Sequence, residues 1–242
     1  MLAVKTQTSS CGAVLVEQGF VPCHLRRLDQ GLARITCNID GRVETLGHLL
    51  PGDYFSTESI TGGESNCGIE VISDSAAYSV IFTDNLPMAD VRLLAVQLGR
   101  QSSRMALTHA LTRKGELRAR VSRYLLGMAH SPLASWRGDG TITISGVTHE
   151  LMGSAVGCIR VHLTRILKVL EDEGLVVTGY RSINLLDLPG LYESAGAQSS
   201  VAAKMLDSLF TNNVGGDSKA AGVIEHVLSS RVEAIKESTR HP

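Results

Sequence analysis

The sequence predicts an α+β chain with a β-rich front, one long helix, and a helical unit closed by a hairpin. Three observations carry this. Residues 12–84 alternate apolar and polar side chains in short runs separated by turn signals. From Met88 to Leu111 the apolar spacing changes to steps of three and four. Between Thr148 and Leu185 two helical patterns meet at a glycine, and two short alternating runs follow.

In the front part, residues 32–39 and 43–49 alternate on either side of Asp40-Gly41. That dipeptide tolerates the positive φ of a tight hairpin turn. Pro51-Gly52-Asp53 and Gly62-Gly63 mark further turns, and residues 69–72 and 77–82 read as additional strands. Short strands with turns every eight to twelve residues form a sandwich or barrel. This part is assigned to residues 1–88.

The long helix occupies 89–112. Val91, Leu94, Leu98, Gln101, Met105 and Thr108 form one narrow stripe along it. A narrow stripe suits a two-helix seam, so these six residues are the expected homodimer interface. The alternative is that the helix packs on its own β domain. A second helix runs over 116–129, after a break at Gly115.

The third part spans 113–190. Ser131-Pro132 and residues 137–140 bound a loop that contains Trp136, and residues 141–145 form a short strand. Thr148 is placed to cap a helix that ends near Gly157. A second helix covers 159–173, with Gly174 suited to a left-handed C-terminal cap. Residues 175–185 read as a hairpin. Helix, glycine turn, helix and hairpin together make a helix-turn-helix with a wing. In that motif the first turns of the second helix face base edges in the major groove. Here Arg160, Val161, Thr164 and Arg165 share one face. An arginine can donate two hydrogen bonds to one guanine. Thr148 and Lys168 are placed for phosphate contacts, which position without specifying.

Charge supports a polyanion partner. Residues 1–99 carry 6 basic and 11 acidic side chains, and residues 100–181 carry 12 and 6, although the whole chain is near neutrality at −1. A solvated basic helix face is the other reading of the same imbalance. The five cysteines are scattered and odd in number, which suits reduced thiols in a cytoplasm. No apolar run has the ~20 residues that span a bilayer, so no membrane role is expected. No zinc-protease, Walker or dinucleotide glycine pattern is present, so neither catalytic nor metal-ligating residues are assigned and the chain reads as a non-enzyme.

Residues 147–153, Gly157-Cys158 and the run from Arg165 to Val176 resemble the winged helix of the CRP/FNR family of bacterial transcription regulators. Gly31 to Ile35, Gly41-Arg42 and residues 50–55 resemble that family's cyclic-nucleotide-binding-type β-roll. The similarity covers roughly residues 24–188. It implies a homodimer that binds double-stranded DNA at a palindromic site, and contact with RNA polymerase through the loop near 131–141. Arg160 and Arg165 fall on the family's base-contacting arginines. Val161 replaces a glutamate of the cAMP-receptor branch, and the pattern Arg-Val-x-x-Thr-Arg is similar to the cyanobacterial nitrogen-control branch. That implies half-sites of a GTA…TAC type.

The same resemblance places the candidate effector site at Ser56, Thr57, Glu58, Ser59, Cys67 and Gly68. Thr57 stands where nucleotide-binding members carry a ribose-binding glutamate, and Cys67 stands where they carry the phosphate-binding arginine. A buried phosphate needs a charged, forked donor. No strong cAMP or cGMP binding is therefore expected, no resident cofactor is assigned, and any effector is of another kind. Cys67 sits near the haem-ligating cysteine of the carbon-monoxide-sensing branch, but Ile69 stands in place of that branch's histidine. A haem- or thiol-based redox sensor is the alternative within the family. Residues 191–242 are rich in Ala, Ser and Gly, with helical patterns at 201–210 and 220–236. A protein-interaction module acting through this tail is the alternative from another class.

Overall fold

The computed structural model describes residues 4–82 and 87–196. The front part is two facing four-stranded antiparallel sheets. Its strands are β1 (Val4–Ser10), β2 (Val14–Val16), β3 (Leu25–Gln30), β4 (Ala33–Ile39), β5 (Arg42–Leu49), β6 (Tyr54–Phe55), β7 (Gly68–Val71) and β8 (Ser75–Ile81). One sheet has the order β1-β8-β3-β6 and the other β2-β7-β4-β5. Leu28, Ile35, Leu49, Phe55, Val71 and Val80 fill the space between them. The β4–β5 hairpin turns at Asp40 and Gly41, both at positive φ.

The helix α1 (Met88–Arg113) leads into α2 (Leu117–Met128). Then come β9 (Ala134–Trp136), β10 (Ile142–Ser145), α3 (His149–Val156), α4 (Arg160–Asp172), β11 (Val176–Gly179), β12 (Ser182–Leu185) and α5 (Leu188–Ser194). The last four strands form a sheet of order β11-β12-β10-β9. A second core gathers Val121, Leu125, Ile142, Met152, Leu163, Leu167 and Leu170. Among the described residues no helix is long and apolar enough to cross a membrane.

Several elements differ from the sequence expectation. β9 lies inside the segment read as a loop, pairing Trp136 with Ile142. α5 crosses the boundary drawn after residue 190, and Leu191, Tyr192 and Ala195 are buried in the second core. Its cap is Asp187, which accepts from Gly190 N–H at 3.0 Å, and Pro189 occupies a first-turn position where no N–H is needed. The helices expected at 201–210 and 220–236 lie outside the described residues.

The expected dimer stripe divides along α1. Val91 is exposed and Leu94 and Leu98 are half-buried. Gln101, however, is turned to the protomer's own β-roll: its Oε1 accepts from Tyr54 N–H at 2.8 Å and its Nε2 donates to Tyr54 C=O at 2.7 Å. Met105 packs on the β-roll core, and Thr108 is half-buried toward β5. The physical reason is the open edge of β6, whose main-chain groups need partners. One amide side chain satisfies both. One turn further on, Arg104 pairs with buried Asp53. The apolar side chains that α1 leaves exposed are Met88, Val91, Leu93 and Val96.

Candidate nucleic-acid interface

Local sequence dictates the helix-turn-helix. The Thr148 hydroxyl accepts from Leu151 N–H at 3.1 Å and so caps α3. Gly157 ends that helix at φ 66°, a left-handed conformation that glycine adopts without a Cβ penalty. A Cβ at Gly153 would stand 2.9 Å from the Cys158 carbonyl, so a second glycine permits the tight approach. Helix α4 then buries Leu163, Leu167 and Leu170 against the core.

The opposite face of α4 is exposed and carries Arg160, Val161, Thr164, Arg165 and Lys168. Arg160 and Arg165 form no ion pair among the described residues. Thr164 donates its hydroxyl back to the Arg160 carbonyl at 3.0 Å, so its methyl and lone pairs remain outward resources. Lys168 is not free. Its ammonium lies 2.9 Å from Asp172 and 3.9 Å from Glu171, and the Asp172 contact raises its pKa. No side chain caps the α4 N-terminus, which leaves main-chain N–H groups and the positive end of the helix dipole beside the arginines.

Two residues of the wing belong to this surface and were not singled out by sequence. Tyr180 is 94% exposed at the β11–β12 turn, and Arg181 beside it is exposed with φ 50°. With His149, Thr148 and Arg160 they line an open cleft between the wing and the two helices. An aromatic and an arginine together in a two-residue hairpin turn were the available signal.

Contacts to the β-roll hold this unit in place. Thr45 N–H donates to the Ser154 hydroxyl at 2.8 Å, and that hydroxyl donates to Thr45 Oγ1 at 3.0 Å. Arg113, the last residue of α1, donates to the Thr45 carbonyl, the Ser154 carbonyl and Glu44 at 2.9–3.0 Å.

The candidate effector loop is largely closed on itself. Ser56 is buried at φ 61° and Thr57, Glu58 and Ser59 form a 3₁₀ turn after it. The N–H groups of Ser59, Thr61, Gly63 and Ser65 all bond to carbonyls of the protein. Cys67 is half-buried, and burial pushes its thiol pKa up. Gly68 is buried against Thr36. Among the described residues no group of three or more His, Cys, Asp or Glu is placed to hold a metal ion. At the loop near 131–141, Asp139 accepts from Thr141 N–H and hydroxyl at 3.0 and 2.7 Å, which lowers its pKa. Trp136 is half-buried on the core below.

Residues 119–194 match the model of a Crp-like helix-turn-helix domain. The transcriptional regulator LdrP of Thermus thermophilus is 36% identical over 181 residues, which is 74% of this chain and 90% of LdrP. A solved CRP-family transcriptional regulator of Thermus thermophilus superposes with a TM-score of 0.73 at 34% identity, over 78% of this chain and 96% of the other. A second regulator from the same species, described as CRP/FNR family, gives 0.70 at 26% identity, over 81% and 100%.

Proposed function

Because the chain belongs to the CRP/FNR family of DNA-binding transcription regulators, we propose that it acts as a homodimer on a two-fold-symmetric operator, reading bases with Arg160, Val161, Thr164 and Arg165. The observation that carries this is the exposed face of α4. It presents two arginines without ion partners among the described residues, in the first two turns of the helix that follows the left-handed turn at Gly157. In this reading the arginines donate to guanine edges, and Val161 meets a thymine methyl. Thr148, Tyr180, Arg181 and, less directly, Lys168 hold phosphates. The half-sites are of a GTA…TAC type, as in the nitrogen-control branch, with centres about 34 Å apart.

Neither cAMP nor cGMP controls the chain in this reading, because no arginine stands in the effector loop to hold the phosphate. The loop around Trp136 and Asp139 is proposed as the RNA polymerase contact, in the cytoplasm. The test is binding-site selection from random duplexes with the full chain. A symmetric site whose outer guanines lose preference in Arg160→Ala or Arg165→Ala is expected. A selected pool without two-fold symmetry would overturn the proposal.

A further inference from the structure

A recess lies where the β-roll, the long helix and the DNA-binding unit meet, and none of the roles above uses it. It encloses about 50 Å³ between β5, α1, α2 and α3 and opens to solvent at its mouth. Leu46, Met105, Met128 and Ala155 give it a mainly apolar wall. Three residues that line it carry a buried polar atom with no hydrogen-bond partner among the described residues: His48 Nε2, the Tyr124 hydroxyl and Arg104 Nε. His48 is 9% exposed and Tyr124 3%, with ring centroids 5.8 Å apart. Buried polar groups are almost always paired, so three orphans on one cavity call for a partner that enters it.

The chemistry of that partner can be read from the rim. Burial, with Arg34 and Arg104 nearby, lowers the His48 pKa to about 4, so the imidazole is neutral at pH 7. Arg104 is matched by Asp53, and Arg123 donates to the carbonyls of Leu111, Lys114 and Ala195. The guanidinium donors beside the recess are thus largely engaged, and its wall is mainly apolar. We propose that this recess binds a small uncharged organic molecule, mainly apolar, whose one carbonyl or hydroxyl oxygen pairs with Tyr124 and His48. Its walls belong to all three units, and Ala155 adjoins the Ser154–Thr45 bond that seats α3 on β5. Occupancy therefore sets how the recognition helix is held, a step that rests on the transcription-regulator reading.

The test uses the full chain without DNA, so its outcome does not depend on operator recognition. Acetophenone serves as the probe and toluene as the same ring without the oxygen, each titrated to millimolar concentration and followed by methionine-methyl NMR. Saturable shifts at Met105 and Met128 are expected for both probes. Tyr124→Phe, which removes only an orphan hydroxyl and keeps the thermal midpoint, should weaken acetophenone about tenfold and leave toluene unchanged. Thr108→Trp should abolish both. No saturation, or equal acetophenone binding to Tyr124→Phe, overturns the site. A selected operator duplex is then titrated with and without saturating acetophenone. A several-fold change in affinity is expected, and an unchanged affinity overturns the coupling.

Discussion

A terminal nitrogen of Arg113 lies 2.6 Å from the point where a Cβ on Gly157 would stand. The last side chain of the long helix thus crosses the turn of the helix-turn-helix, and it does so while donating to three oxygens. Gly157→Ala is penalised twice. The left-handed backbone costs a non-glycine residue about 1–2 kcal/mol, and the new methyl must displace an arginine held by those bonds. A loss of about 2–4 kcal/mol in denaturant unfolding is expected. Adding Arg113→Ala should relieve the contact but not the backbone cost.

Arg160 and Lys168 should behave differently toward DNA. Arg160→Ala is expected to cost about 1–3 kcal/mol of discrimination at one symmetric base position. Lys168 is held by Asp172, so Lys168→Ala should flatten the salt dependence by no more than about one unit per half-site and leave base preference alone. Competition binding across salt concentrations separates the two. Identical behaviour would refute the division of roles.

Acid should weaken the fold before it reaches the carboxylates. Burial lowers His48 and His130 to about 4 from an ordinary value of 6.5. Between those values the unfolded chain binds protons that the folded chain refuses, so stability falls as pH drops through 6 toward 4. The slope is at most about 1.4 kcal/mol per pH unit for each site. Urea unfolding at pH 7, 6 and 5 measures it, and His48→Gln should remove about half of the slope.

The helix-turn-helix was legible because its signals are local: a capping threonine, glycines at 157 and 174, and leucines at helical spacing. β3 was not, because Leu25-Arg26-Arg27-Leu28-Asp29-Gln30 reads as solvent-facing. Its charges are settled by neighbours, with Arg27 on Asp29 at 2.7 Å and Arg26 on the Leu15 carbonyl at 2.6 Å. β9 was hidden by the flanking proline and glycines. The stripe on α1 had the right helical period, but period alone cannot say which neighbour a face meets. Gln101 answers to an unpaired strand edge that no short window of sequence reveals.

That division of α1 gives opposite expectations for two substitutions. Leu93 is 63% exposed and Val96 52%, and a buried homodimer seam would cover them. Leu93→Glu should shift the chain toward monomer in sedimentation velocity. Gln101→Ala should leave the sedimentation coefficient unchanged and lower the thermal midpoint, since it strands Tyr54 N–H and C=O.

The paired attachments at Gln101–Tyr54 and Arg104–Asp53 rivet the middle of α1 to the sheet beneath it. Helix and β-roll must then swing as a single lever. Beyond it, Lys114, Gly115 and Glu116 are solvent-exposed, with Gly115 at φ 88°, and Arg123 holds the turn by donating to the Leu111 and Lys114 carbonyls. Past that turn, Arg113 and the Thr45–Ser154 bonds tie α1 and β5 to α3, so a displacement of the front half is passed to the helix-turn-helix through them.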